Sequence, residues 1–395
     1  MRKAKIALCI EYPIDRPGGT ETLVSELIRG LAATYSIVLV SADDSDKLVH
    51  WRGAIADHVS WSANRSYSEQ ASSLAEQLRL RKVDLIHFHL GGLYAWNTRA
   101  RKNCPIHQCS RIGVPIAITN HGAFSVLDYC GAHRPLWFKI GCLPLPWINR
   151  LRLIQSIETE ITVSENDFRL MQRSYFPVAR KFRQLYHACT RTERPDRAVE
   201  REKFILNVGS IGLRKGQPDL VNAFGEIAPL FPDWKLVLAG SLSDERTVDQ
   251  VNEAIDRHGI REKVRLAGAV SETEKISLMK RAGVFAMPSH WEGLGLSLQE
   301  ALYYGCPAIG YRVGGIPELI DHESNGILVP HGDLVGLRDG LARLMGDAAL
   351  RGRFGDNAIE SITRKRMTAP SMIAAYDKLY GDILKRKSPV AISRN

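Results

Sequence analysis

The stretch "HWEGLGLSLQEALYYGCP", His290 to Pro307, holds two carboxylates, Glu292 and Glu300, separated by seven residues that include the glycines Gly293 and Gly295. It follows directly on the apolar run "VFAMPS". An ionised carboxylate only accepts hydrogen bonds, so two of them suit a ligand rich in hydroxyls. The glycines let backbone N–H groups approach an anion closely, and the start of a helix favours negative charge. Hydroxyls next to phosphate describe a sugar nucleotide. For Glu300 alone the plainer alternative is an acid near a helix start that complements the dipole.

A second loop has related chemistry. "NVGSIGLRKGQ" places Gly209, Ser210 and Gly212 after an apolar strand, followed by Arg214 and Lys215. Its composition is that of a phosphate-binding loop, although it is neither G-x-G-x-x-G nor a Walker A motif. Cations at a helix start are mildly unfavourable unless an anion joins them. "RPGGTE" puts Gly18 and Gly19 at another helix start, where amides would approach a diphosphate or an acceptor. "TNHGAF" ends a strand with His121, placed to donate to a hydroxyl or phosphate; a satisfied structural histidine is the alternative. His87 and His89 alternate in "LIHFHL" and so share a strand face.

These loops need elements to hold them. The first half reads as strand–helix–strand with continuous apolar strands, "KIALCIEYP", "SIVLVSA", "VDLIHFHL", "PIAITNHG" and "TEITVSE", the signature of a parallel sheet covered on both faces. The pattern restarts after a charged segment at 189–202, with "FILNVGS", "KLVLAGS", "VRLAGA", "VFAMPS" and "CPAIGYR". Between them "SETEKISLMKRA" predicts a helix with Ser271 as N-cap and Glu274 as its capping-box partner. Gly305 is expected to close the helix "LSLQEALYY" before Pro307. A chain of 395 residues exceeds one ordinary core. The expected division is an N-terminal domain over 1–190, a second over 199–365, and a C-terminal helix over 366–395 packing back toward the first. Tandem doubly wound sheets bind ligands at the carboxyl ends of their strands.

Composition excludes some classes. No apolar run approaches the roughly 20 residues that cross a membrane as a helix, and the N-terminal apolar run reads as a first strand; a cytoplasmic protein is expected. The seven cysteines, an odd number, fit reduced thiols. Cys104, Cys109, Cys130 and Cys142 lie near His107 and His133, and a zinc site there is an alternative, although the spacings match no standard pattern. Net charge is +10, with 27 Lys+Arg against 18 Asp+Glu in residues 1–198 and 26 against 25 in 199–395. The basic half suggests an anionic partner: phosphorylated substrate, membrane or nucleic acid. "RPLWFKIGCLPLPWINRLRLI" mixes Trp137, Phe138 and Trp147 with Arg134, Lys139, Arg150 and Arg152. That mixture suits the headgroup layer of an anionic membrane, so peripheral binding through residues 134–152 is expected. The alternative is an internal helix whose aromatics are core.

The order of a "GGTE" loop, "HG", "VSE", "NVGS…KG", "LAGS", "LAGAV", "PSHWEGLGLSLQEA", "GCPAI", "GGIPELI" and "NGILV" resembles the retaining, nucleotide-sugar-dependent glycosyltransferases of family four, over about residues 5–385. The resemblance implies an α/β chain of GT-B fold, two doubly wound Rossmann-like domains facing across a cleft. It implies that Glu292 binds donor-sugar hydroxyls near the reacting carbon and that Gly293, Leu294, Gly295 and Leu296 offer amides to sugar and phosphate. Glu300 would hold the ribose hydroxyls, Lys215 clamp the diphosphate, and Val270 hold the base through backbone atoms. Gly18 and Gly19 would approach the diphosphate from the other domain, and His121 would contact donor sugar; His121, Glu292 and Lys215 are the catalytic candidates. Two positions depart from the family: Ser210 stands where arginine is usual, with Arg214 the candidate replacement, and Leu294 where an aromatic is common.

The same resemblance implies a metal-independent hexosyltransferase with no cofactor, which passes a sugar to a glycan or lipid-linked acceptor in polysaccharide, lipopolysaccharide or glycolipid synthesis. The alternatives are a sugar-nucleotide epimerase or hydrolase on the same fold, and a basic anion or nucleic-acid binder. The latter lacks an RNA-binding motif, and no nucleic-acid partner is expected. A metal-dependent transferase would claim the D-x-D of Asp44 and Asp46, which reads more simply as a polar loop.

Overall fold

The structure is a computed structural model that describes residues 2–16, 18–62, 67–90, 104–122, 144–188 and 201–387. The chain divides into two compact units, one of residues 1–190 with 369–395 and one of residues 191–368.

The first unit is built on a seven-stranded sheet of order β3-β2-β1-β4-β5-β6-β7, parallel at every pairing. Its strands are β1 (Lys5–Cys9), β2 (Ser36–Ser41), β3 (Asp57–Ser60), β4 (Leu85–Leu90), β5 (Ile116–Asn120), β6 (Thr159–Thr162) and β7 (Phe182–Gln184). The central strands are apolar on both faces because helices cover both. Helix α1 (Gly19–Leu31) buries Leu23, Val24, Leu27, Ile28 and Leu31, the three-to-four spacing of one helical face. The other helices of the unit are α2 (Tyr67–Leu80), α3 (Pro105–Ser110), α4 (Pro144–Gln155) and α5 (Glu165–Ser174).

The second unit has a six-stranded parallel sheet of order β10-β9-β8-β11-β12-β13. Its strands are β8 (Glu202–Val208), β9 (Lys235–Ala239), β10 (Val264–Gly268), β11 (Ala282–Met287), β12 (Ala308–Tyr311) and β13 (Gly326–Val329). The helices are α6 (Gln217–Ile227), α7 (Glu245–His258), α8 (Glu272–Arg281), α9 (Leu296–Tyr303), α10 (Ile316–Leu319), α11 (Leu334–Gly346) and α12 (Ala348–Arg364). The strand order reverses between β8 and β11, so the loops that leave those two strands flank the switch point where such sheets bind ligands.

The last helix, α13 (Ala369–Lys387), belongs to the first unit. Its Met372, Tyr376, Tyr380 and Ile383 join the core beneath α1. The approach is close at Gly30, where an added Cβ would lie 2.3 Å from Ile373 Cδ1. Two buried tyrosine hydroxyls find partners in the sheet: Tyr380 with His87 Nδ1 at 2.5 Å and Tyr376 with Thr119 Oγ1 at 3.1 Å. His87 Nε2 meets Thr119 Oγ1 at 2.8 Å. Burial pushes the His87 imidazole down to about 3, so it is neutral and its two ring nitrogens serve as one donor and one acceptor. His87 and His89 do share a face, with ring centroids 4.1 Å apart, and both are inside the unit.

Candidate functional site

In the second unit a buried amide network shapes the loop that leaves β8. Asn207 Nδ2 donates to the carbonyl of Ala286 at 2.8 Å, which ties β8 to β11. Gln217, fully buried at the first turn of α6, donates through Nε2 to Asn207 Oδ1 and to the Ser210 carbonyl, both at 3.3 Å, and accepts from the Gly212 N–H at 3.3 Å. The chain then makes a single 3-10 turn, Leu213–Lys215, and leaves it through Gly216 at φ +66°. A side chain at 216 is excluded twice, because a Cβ there would also lie 2.0 Å from the Pro288 carbonyl oxygen. The His290 N–H donates to the Arg214 carbonyl at 2.8 Å. The loops after β8 and β11 are therefore one assembly.

That assembly brings Glu292 onto Lys215 and Arg214. Lys215 Nζ lies 2.6 Å from Glu292 Oε2, Arg214 Nη1 lies 3.4 Å from the same oxygen, and Ser289 Oγ donates to it at 3.4 Å. Arg214 also donates to the Trp291 carbonyl at 3.0 Å, with its guanidinium 5.4 Å from that ring's centre. The Glu292 side chain is only 12% exposed. Burial alone would raise its carboxyl, but Lys215 first and Arg214 next outweigh that and hold it below the usual range. Glu292 is thus an ionised, nearly dry carboxylate with two cations beside it. Ser210 is exposed and its carbonyl takes the Gln217 bond, whereas Arg214, the candidate replacement for the missing arginine, reaches the carboxylate beside Lys215.

The other wall is glycine. At Gly314, φ +50°, a Cβ would fall 1.7 Å from the Glu292 carbonyl oxygen, and at Gly315 it would fall 2.4 Å from that of Gly293. Gly295, φ +97°, ends the loop as N-cap of α9. Its first-turn amides, from Leu296 on, have no intrahelical acceptors. Leu294 is buried at 2% exposure, so its side chain belongs to the core and only its backbone amide is left for the role expected of it. Gly314→Ala is expected to lower turnover about a hundredfold by pushing the Glu292 backbone aside. Gly332→Ala is the control, with φ +76° and open space around its Cβ. Equal kinetics for the two variants would contradict this.

Glu300 sits in the second turn of α9 and meets a different cation. Lys275 Nζ, on α8, lies 2.9 Å from Glu300 Oε2 and 3.2 Å from Oε1. Val270 lies just ahead of α8, whose N-cap Ser271 accepts from the Glu274 N–H at 3.1 Å. The Glu274 carboxylate departs from the expected capping box and pairs with Arg265 at 3.1 Å.

In the first unit Gly18 and Gly19 are exposed at the start of α1. Thr22 Oγ1 donates to the Gly18 carbonyl at 2.8 Å, and the buried Glu21 carboxylate fills the space where a Gly18 Cβ would go. His121 directly follows β5, with its N–H on the Leu90 carbonyl at 3.3 Å. Its Nε2 is 3.4 Å from His89 Nδ1, and its ring is 4.7 Å from that of His187. Burial first, then His187, push its imidazole well below the usual range, which leaves a neutral ring with one N–H to give.

Other expectations fare differently. Cys104 and Cys109 are buried free thiols, and burial pushes the Cys109 thiol up. Among the described residues no group of three or more His, Cys, Asp or Glu could hold a metal; Cys130, Cys142 and His133 lie outside them. Asp44 is paired with Lys47 at 2.8 Å, and Asp46 lies in the same 3-10 turn after β2, so the D-x-D is a polar loop. Of the aromatic and basic stretch, residues 134–143 lie outside the described residues. Trp147 and Arg150 overturn the headgroup reading for themselves: the Trp147 indole N–H is held by the Ser174 carbonyl at 2.8 Å, and Arg150 is 4% exposed, paired with buried Glu160. No described helix is long and apolar enough to cross a membrane.

Sequence reasoning singled out the two glutamates, Arg214, Lys215 and the loop glycines. It missed Asn207, Gln217 and Lys275, and gave Gly314 and Gly315 no role beyond the "GGIPELI" motif. An asparagine ending one strand and a glutamine opening the next helix was the available signal for the first two.

Comparison with known proteins places the chain. The model described as Glycosyltransferase Family 4 matches residues 17–188, and that described as Glycosyl transferases group 1 matches residues 190–361. N-acetyl-alpha-D-glucosaminyl L-malate synthase of Bacillus anthracis is 31% identical over 186 residues, 47% of each chain, so this chain matches about half the length of that relative. Alpha-D-kanosaminyltransferase of Streptomyces kanamyceticus is 25% identical over 68% of this chain and 70% of its own. Anabaena HepE, solved with UDP and glucose, superposes with a TM-score of 0.73 at 16% identity, covering 96% of this chain and 100% of its own, a likeness of fold. With both halves matched in register by the two models and both sheets of the GT-B type, the chain belongs to the family-four, group 1 glycosyltransferases.

Proposed function

We propose that the protein is a retaining, metal-independent hexosyltransferase that moves a sugar from a nucleoside-diphosphate sugar to a glycan or lipid-linked acceptor in cell-surface polysaccharide or glycolipid synthesis. The observation that carries this reading is the buried Glu292 carboxylate held by Lys215 and Arg214 on loops closed by glycine. Breaking the sugar–phosphate bond builds negative charge on the diphosphate and positive character on the sugar carbon. Lys215, Arg214 and the first amides of α9 meet the first, an effect worth several kcal/mol in a dry site. They take the role that a divalent cation plays elsewhere. Glu292, freed from the cations as the diphosphate arrives, accepts from donor-sugar hydroxyls. Glu300 accepts from the ribose, and the backbone at Val270 holds the base. The roles implied for Gly18, Gly19 and His121 stand as proposals for substitution.

The UDP and glucose held by Anabaena HepE support a donor of this class. An anionic membrane surface is a further proposed partner, with the protein peripheral on the cytoplasmic face. In the described part of that stretch the proposal rests on exposed Ile148 and Arg152.

The test is a thermal-shift panel of UDP, GDP, ADP and their common sugars without metal. One base is expected to raise the melting temperature, Glu300→Ala to abolish the rise, and turnover to persist in EDTA. No shift with any nucleotide, or turnover lost in EDTA and restored by a divalent ion, would sink the reading.

A further inference from the structure

Each carboxylate of the site has its own lysine, and the second pair has a role that the reading above leaves unassigned. Lys275 lies in the first turn of α8, where a cation meets the unfavourable end of the helix dipole. It is nonetheless drawn inward, 18% exposed, onto a Glu300 side chain that is 7% exposed. Its ammonium spans both Glu300 oxygens, at 2.9 and 3.2 Å, and takes Glu272 at 3.1 Å on its outer side. α8 begins immediately after Val270, and Glu300 belongs to α9.

We propose that Lys275 is the positioning residue for ribose recognition: it fixes the orientation of Glu300 so that the carboxylate accepts from the ribose hydroxyls, and it fixes that carboxylate relative to the segment at Val270. This rests on the reading of Glu300 as the ribose acceptor. Its consequence is selectivity for ribonucleotides. A hydrogen bond to a charged acceptor that is correctly aimed separates a ribonucleotide from its 2′-deoxy counterpart by roughly ten- to a hundredfold. An unfixed carboxylate would give up most of that ratio.

The experiment is calorimetric titration of the whole protein with UDP, GDP and ADP, each beside its 2′-deoxy form, read as the ratio of the two dissociation constants for the nucleotide that binds most tightly. The ratio is expected to be about tenfold or more in the wild type and near one in Glu300→Ala. In Lys275→Ala it is expected within about threefold of one, with at least half of the loss, on a logarithmic scale, recovered in Lys275→Arg. Glu272→Gln, which removes only the outer partner, is expected to keep the wild-type ratio. A wild-type ratio in Lys275→Ala, with the ratio lost in Glu300→Ala, would overturn this inference and leave the donor-site reading intact. A ratio that survives Glu300→Ala, or a wild type that binds none of the nucleotides, would overturn both. Equal losses in Lys275→Ala and Glu272→Gln would make the effect one of helix packing and would also overturn it.

Discussion

Lys215→Ala is expected to lower kcat/KM by about 10²–10³, the cost of removing one preorganised group from a site where negative charge develops. Two effects combine. The diphosphate loses the cation 2.6 Å from Glu292, and Glu292 loses the charge that keeps it ionised. Its carboxyl stands below the usual range only because Lys215 and Arg214 outweigh burial. With Lys215 gone, Arg214 remains at 3.4 Å with a side chain 46% exposed, and screening by water weakens it. The carboxyl then titrates at higher pH. The acid limb of the rate profile, which marks protonation of Glu292, is therefore expected to move up in pH in the variant. Lys215→Arg keeps the charge and should restore the limb while recovering only part of the rate, because a planar fork does not replace a point charge. A loss below tenfold with an unmoved limb would mean that Arg214 alone meets the diphosphate.

How much of this was legible in the sequence follows from the range of each signal. Both sheets were legible because a parallel strand buried on two faces is a continuous apolar run, as in "VFAMPS" and "LIHFHL". Glu292 and the glycines around it were legible because the loop that carries them is local. The pairings were not. Lys215 and Glu292 are 77 residues apart, and Lys275 and Glu300 are 25 apart on different helices. Neither separation leaves a periodicity. Nothing in the charged segment singles out Lys275, and only the packing of α8 beside α9 makes it a partner. Gly314 shows the same limit. Its positive φ suits glycine, but the close approach to the Glu292 carbonyl belongs to another loop. Composition misled at Trp147 and Arg150. A tryptophan between arginines describes a membrane-facing helix and a helix packed on a buried acid equally well. Burial of Glu160 on β6 decides for the second.

That buried pair gives the largest expected effect on stability. Arg150, on α4, holds Glu160 at 4% and 0% exposure, and Asn120 Nδ2 joins the same Glu160 oxygen at 3.4 Å. Arg150→Ala leaves a carboxylate buried without its cation and is expected to cost about 3–5 kcal/mol in urea unfolding near neutral pH. The pH dependence has a definite sign. Burial, the larger influence, raises the Glu160 carboxyl, against Arg150 and Asn120, which lower it. Without Arg150 it rises further above the unfolded value of about 4.3. A group whose acid form is favoured by folding loses stability as pH climbs through that interval. The penalty therefore grows as pH climbs above the unfolded value and shrinks as pH falls toward about 4.3. The double change Arg150→Met with Glu160→Leu removes both charges and is expected to stay close to wild-type stability or above it. Asn120 directly precedes His121, so the single variant should also disturb the end of β5, and lost transfer in a protein that remains folded would report that route. A pH-independent loss, or a double variant as unstable as the single one, would mean that Arg150 acts through the packing of its stem and not through Glu160.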